Sequence, residues 1–175
     1  MMLLSVGAGA LIAGTLITLV SHFTSSSPTT TTLPEPAVVG TTVTAHSLPA
    51  LVGHEGVSAI PVRGRRTVLV FFASWCGPCR RELPEVERYA ASAPDDVSIV
   101  GVAANDSPSA AAAFLDRLGI TIPAVSDEDG SITSSVFGFG TLPETVFIDS
   151  DGTVRHVVFG GVTENSLRQG VGALR

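Results

Sequence analysis

Cys76 and Cys79 are the two cysteines of this 175-residue chain, and Gly77 and Pro78 stand between them. Thiols at this spacing can close a disulfide, but the loop is too short to restrain much unfolded-chain entropy, so the bond would stabilise little. Such a bond is useful for being made and broken. A tetrahedral zinc site needs four ligands from Cys, His or acidic residues, and His22, His46, His54 and His156 contain no H-x3-H pair. A C-x-x-C beside a strand-to-helix pattern therefore reads as a redox motif, with no metal and no cofactor called for.

The elements that must position the thiols lie on either side of them. Residues 68–73 form an unbroken apolar run rich in β-branched and aromatic side chains, the pattern of a strand buried on both faces. In the following segment, at about 100° per residue, Leu83, Val86, Ala90 and Ala93 fall within about 40° of Cys79 on a helix. Cys79 thus faces the core and is predicted to be the resolving thiol. Cys76 sits at the first turn, where unpaired N–H groups and the helix dipole favour a thiolate. It is predicted to be the exposed nucleophile. Pro78 is tolerated so early in a helix, while Pro84 falls inside it.

Trp75 reads as part of a rim that contacts substrate; the alternative is strand-end packing. Glu82 follows Cys79 by three residues, about 60° around the helix, close enough to influence that thiol. Its alternative is a solvated charge beside Arg80 and Arg81.

The segment FFASWCGPCRRELPEVERYA resembles the active-site segment of thioredoxin-fold proteins. Its CRRELP continuation resembles the extracytoplasmic TlpA/ResA-like branch, which includes the thioredoxins of cytochrome c maturation. With the downstream T-L-P-E-T of residues 141–145, the resemblance runs from about residue 43 to the C-terminus. It implies an α/β thioredoxin fold: a central mixed β-sheet flanked by helices in three α/β/α layers, with an N-terminal hairpin and a TlpA-type central insertion. It further implies that Pro143 is a cis-proline facing the cysteines, that Leu142 offers main-chain groups to a substrate peptide, and that Glu82 assists the buried cysteine. Trp75, Gly77, Pro78 and Leu142 would then form the substrate-contacting surface around Cys76, Cys79, Glu82 and Pro143. One position departs from the cytoplasmic thioredoxins, which carry a buried aspartate six residues before the first cysteine. Here Val70 stands in its place, and it cannot take a proton from a thiol.

The implied activity is thiol–disulfide exchange on protein disulfides, with apocytochrome c the leading substrate and a membrane thiol–disulfide donor restoring the dithiol. Gly77-Pro78 resembles the reducing thioredoxins, yet the same constellation run backwards oxidises secreted clients, so both directions stay open. A copper chaperone using two thiols and His156 is a third reading; copper chaperones of this fold space their cysteines by three residues, not two. The peroxide-reducing pattern P-x3-T-x2-C is missing, because Ala73 precedes Cys76 by three.

Residues 2–20 carry no charge, and at about 1.5 Å per residue a helix of this length nearly crosses a bilayer core. Residues 1–21 are read as a transmembrane anchor or a signal sequence, and the Ser/Thr/Pro-rich residues 22–37 as a disordered linker. The chain has no lysine and its first arginine is Arg63, so charge bias sets no orientation. The chemistry and the resemblance place the domain at the cell membrane on the extracytoplasmic side, or secreted if the N-terminus is cleaved.

Residues 38–175 suffice for one domain, expected as a monomer. A hairpin is predicted over 43–62 with turns at Gly53 and Gly56, strands over 97–103, 123–126, 145–149 and 153–159, and a helix over 131–137. Ser107, Pro108 and Gly119 bracket a further helix as N-cap, first residue and C-terminal stop. Leu167, Val171 and Leu174 mark a last amphipathic helix. Asp127–Gly130 and Asp149–Gly152 resemble calcium loops, but aligning their glycines puts Val125 or Phe147 at the first ligand position, so they read as turns. The net charge of -6, with no basic cluster longer than 63–66, argues against nucleic-acid binding.

Overall fold

The computed structural model describes residues 39–138 and 141–175. The anchor or signal expected over 1–21 and the linker expected over 22–37 lie outside the described residues. Among the described residues no helix is long and apolar enough to cross a membrane. In chain order the elements are β1 (His46–Ser47), β2 (Ala59–Ile60), β3 (Arg66–Phe72), α1 (Cys79–Ala90), β4 (Val97–Ala104), α2 (Pro108–Leu118), β5 (Ala124–Asp127), α3 (Ser131–Phe137), β6 (Glu144–Ile148), β7 (Val154–Phe159) and α4 (Glu164–Gly172).

The apolar run before the cysteines is β3, the middle strand of a five-stranded sheet ordered β5-β4-β3-β6-β7. It pairs in parallel with β4 and antiparallel with β6, so it needs apolar residues on both faces. Its residues 68–72 are all buried. The strand starts two residues earlier than its hydrophobicity suggests, because Arg66 and Thr67 pair through their backbones with Val97 and Ser98. The Arg66 guanidinium meanwhile reaches both oxygens of the exposed Asp96.

Helices and strands form three layers. On one face α1, α2 and α4 bring Leu83, Val86, Phe114, Leu167 and Val171 onto Val68, Val70, Phe72 and Phe147. On the other face Phe137 of α3 and Ile60 of the hairpin cover Leu69, Phe71, Val146 and Ile148. Burying each such side chain contributes roughly 1.5–3 kcal/mol before conformational entropy is subtracted. The approach of α4 to β6 is close enough that a Cβ on Gly170 would lie 2.4 Å from the Phe147 ring. Larger residues there would push the helix off the sheet.

The predicted caps of α2 hold: Ser107 accepts from the Ala110 N–H, Pro108 opens the helix, and Gly119 ends it in the left-handed region at φ +67°. The unit α2–β5 follows β4 and adds a parallel edge strand. The hairpin is much shorter than predicted, with two residues per strand. Its connecting loop finds partners elsewhere: Leu51 N–H donates to Ala124 O, Ser126 N–H to Pro49 O, and Ala124 N–H to His54 O. Those bonds cover the β5 edge, which would otherwise expose a row of unpaired donors and acceptors.

Candidate active site

The cysteines stand at the end of the sheet where β3 gives way to α1. A turn closes first, as Cys76 N–H donates to Ala73 O at 3.0 Å. Its two corner residues are tied to the turn between β4 and α2. The buried Asp106 accepts from Ser74 N–H at 2.5 Å and from Ser74 Oγ at 3.0 Å. Trp75 Nε1 donates to Asn105 O at 3.1 Å, leaving the indole 62% exposed.

Cys76 and Cys79 are joined as a disulfide with their Cα atoms 5.3 Å apart. Pro78 is the N-cap and Cys79 the first residue of α1, so Cys76 lies just before the helix rather than in its first turn. The helix N-terminus still reaches it, since Cys79 N–H points at Cys76 Sγ at 3.2 Å. A donor aimed at the sulfur stabilises a thiolate once the bond is reduced. The expected contrast in exposure is small in this oxidised state: Cys76 is 4% exposed and Cys79 1%. Cys76 is therefore buried here, not exposed as its place before the helix led one to expect. Gly77 and Pro78 are exposed.

Glu82 is buried, 2% exposed, which removes the alternative of a solvated helix charge; Arg80 and Arg81 take that exposed position instead. Burial pushes its carboxyl up to about 7, against smaller opposing effects of the Thr145 hydroxyl and the Val162 backbone. Thr145 Oγ1 donates to Oε1 at 3.1 Å, while Oε2 has no hydrogen-bond partner among the described residues. Thr145 pairs with Val70 across β3 and β6. The sheet position at Val70 is thus apolar and 1% exposed, and the acid arrives from α1, held by the strand next to that valine.

The Leu142–Pro143 peptide is cis, as the resemblance implied. Pro143 O accepts from Gly160 N–H at 2.9 Å, and Leu142 packs against the apolar cluster that includes both cysteines. His156 is exposed on β7 against the Phe147 ring. It registers with Phe147, which registers with Val68, so it lies down the sheet from the cysteine end. Among the described residues no group of three His, Cys, Asp or Glu side chains is placed to hold a metal ion.

Three residues at the site escape the sequence reading. Asp106 and Thr145 act across chain separations of 32 and 63 residues, for which local spacing carries no signal. Glu144 is a carboxylate 1% exposed directly after Pro143. Its position in T-L-P-E-T was visible, but nothing local distinguished it from a surface strand residue.

A thioredoxin fold with a dithiol–disulfide pair at the end of its middle strand, a cis-proline and a buried acid defines a class, the thiol–disulfide oxidoreductases. The Redoxin family model matches residues 38–171, and the chain belongs to that family. Similar proteins include the thiol-disulfide oxidoreductase ResA of Geobacillus kaustophilus, 31% identical over 132 residues and 75% of each chain. ResA of Geobacillus thermodenitrificans is 32% identical over 108 residues, 61% of this chain and 62% of that protein, so the match spans less than two thirds of that relative. Among solved structures, MTB DsbF in its mixed oxidised and reduced forms is 34% identical with a TM-score of 0.64, over 74% of this chain and 95% of that one.

Proposed function

We propose that this protein reduces disulfides of extracytoplasmic client proteins, with apocytochrome c the leading client. The observation that carries the reading is Glu82, a buried carboxyl titrating near 7 on the helix of Cys79. Residues three apart on a helix are surface neighbours, so this group is placed to exchange a proton with the resolving thiol near neutral pH.

The thiolate of Cys76 attacks a client disulfide, forming a mixed disulfide and releasing one client thiolate, which takes up a proton. Glu82 in its ionised form then accepts the Cys79 proton. The Cys79 thiolate attacks Cys76 Sγ, the second client sulfur leaves with a proton, and the Cys76–Cys79 disulfide remains. The client gains two electrons and two protons; the pair supplies both electrons and the Cys79 proton, and the solvent returns the proton it took when the Cys76 thiolate formed. Leu142 and Pro143 offer an extended backbone edge for the client, and Trp75 an exposed aromatic rim. A carboxylate beside the pair penalises a thiolate and so favours the disulfide, which suits a reductant.

In this reading residues 1–21 anchor the chain in the cell membrane or direct its export, residues 22–37 space the domain from the surface, and the domain works there as a monomer. A membrane thiol–disulfide donor returns the dithiol. A Cys79→Ser variant, expressed as the full chain in cells, tests the proposal by trapping the mixed disulfide on Cys76. Capture of apocytochrome c supports it. Capture of a broad set of secreted proteins overturns it in favour of a disulfide oxidant, as does a glutathione equilibrium as oxidising as that of protein disulfide isomerase.

A further inference from the structure

We infer that Asp106 is a positioning residue for the redox pair, setting through Ser74 how strongly the protein holds its disulfide. The role rests on the assignment of Cys76 and Cys79 as the exchanging pair. Cys76 is the last residue of a four-residue turn closed by its own N–H on Ala73 O. Ser74 and Trp75 are the corners of that turn, and each is fastened to the adjacent pair Asn105–Asp106. Asp106 spends both carboxylate oxygens on Ser74, one on its N–H and one on its hydroxyl. Bonds to an ionised acceptor are stronger than neutral ones, and with Asp106 only 8% exposed water competes little for them.

The anchor is itself braced. Asn105 adopts φ +51° and its amide occupies the space over Gly130, where a Cβ would come within 2.4 Å of Nδ2. The turn carrying Asp106 is therefore wedged between the β3 end and the start of α3. Fixing Ser74 fixes where Cys76 stands relative to Cys79, their Cα atoms 5.3 Å apart in the closed disulfide.

Two consequences act in one direction. A held turn keeps the two sulfurs within reach, which raises the effective concentration for closing the bond. A carboxylate at the foot of the Cys76 turn also penalises the Cys76 thiolate relative to the disulfide. Removing Asp106 weakens both effects, so the pair becomes easier to reduce.

The test is equilibration of the full chain with glutathione. In the reaction the Cys76–Cys79 disulfide and two glutathione thiols give two protein thiols and one glutathione disulfide, two electrons and two protons passing to the protein. For Asp106→Ala the constant favouring the protein disulfide is expected to fall about tenfold, the size set by losing two charge-assisted bonds from a buried turn. Asp106→Asn keeps an acceptor for the Ser74 N–H and a donor for its hydroxyl but loses the charge, and is expected to recover part of that fall. Ser74→Ala loses only the hydroxyl bond and is expected to fall about threefold.

An Asp106→Ala constant within about twofold of the parent, a change worth about 0.7 RT, overturns the role, even where melting drops equally in oxidised and reduced forms. Should Asp106→Ala fail to fold, unmoved constants for both Asp106→Asn and Ser74→Ala overturn it as well. A parent chain that does not equilibrate with glutathione at all overturns the exchange reading itself. A parent that equilibrates beside an unmoved Asp106→Ala overturns only the role of Asp106.

Discussion

The two strands beside β3 serve the cysteines differently. On the β4 side, Asn105 and Asp106 grip the backbone and side chains of Ser74 and Trp75. On the β6 side, the Thr145 hydroxyl donates to Glu82 on α1. One flank holds the turn that ends at Cys76, and the other holds the buried acid of α1. The difference follows from the ladder. The parallel β4 ends in a polar turn beside the β3 end, whereas the antiparallel β6 begins there, with Thr145 opposite Val70 and under α1.

The comparison is tested from the largest effect downward. Cys76→Ser is expected to abolish exchange with any client disulfide, and Cys79→Ser to permit one attack and stop at the mixed disulfide; mass spectrometry of the trapped adduct separates the two. If Cys79→Ser released client as fast as the parent, the assignment of attacker and resolver would be reversed.

Glu82→Gln is expected to slow resolution of the mixed disulfide by about 100-fold near pH 8, the lower end of general-base contributions. In the parent the resolving rate should fall as pH drops through about 7, because protonated Glu82 no longer accepts a proton. The Gln variant should lack that limb. Stability carries the opposite sign: the folded carboxyl titrates near 7, raised from an ordinary 4.5. The native state therefore binds the extra proton in this window, and stability is full below about 4.5 and lost as pH rises through about 7. At about 1.4 kcal/mol per pKa unit the loss is on the order of 3 kcal/mol. Melting curves of the parent and Glu82→Gln from pH 4 to 8 should diverge accordingly, and parallel curves would show that Glu82 is not buried as an acid.

Thr145→Val removes a bond that favours ionised Glu82, so the acid limb of the resolving rate should move up by about one pH unit. The Asp106 variants should leave that limb in place. A shift caused by Asp106→Asn as large as that from Thr145→Val would erase the distinction between the flanks. The smallest effect is expected at Trp75→Ala, a loss of about 1 kcal/mol in client affinity, read as a higher KM with the glutathione equilibrium unmoved.

Much of this site was legible along the chain because its chemistry is local. The C-x-x-C spacing, the apolar strand before it and the helical period after it placed Cys79 inward and Glu82 beside it. Ser107, Pro108 and Gly119 bounded α2 for the same reason: caps satisfy backbone groups within one turn. The cis form of Pro143 came from resemblance, since a proline before a strand is compatible with either isomer. The hairpin was overextended because glycine turns do not name a strand's partner, and here the segment between its strands bonds to β5.

Residue type and spacing along the chain pointed to the cysteine pair, to the helix that begins at Cys79 and to the family resemblance. Folding settled the environment of those atoms. Whether Glu82 would be solvated or buried, whether Val70 would leave the site without an acid, and what holds Ser74 depended on segments 32 to 63 residues away. Burial and hydrogen bonding set a carboxyl's proton affinity and a thiol's position, and both are properties of neighbours that only the packed sheet brings together.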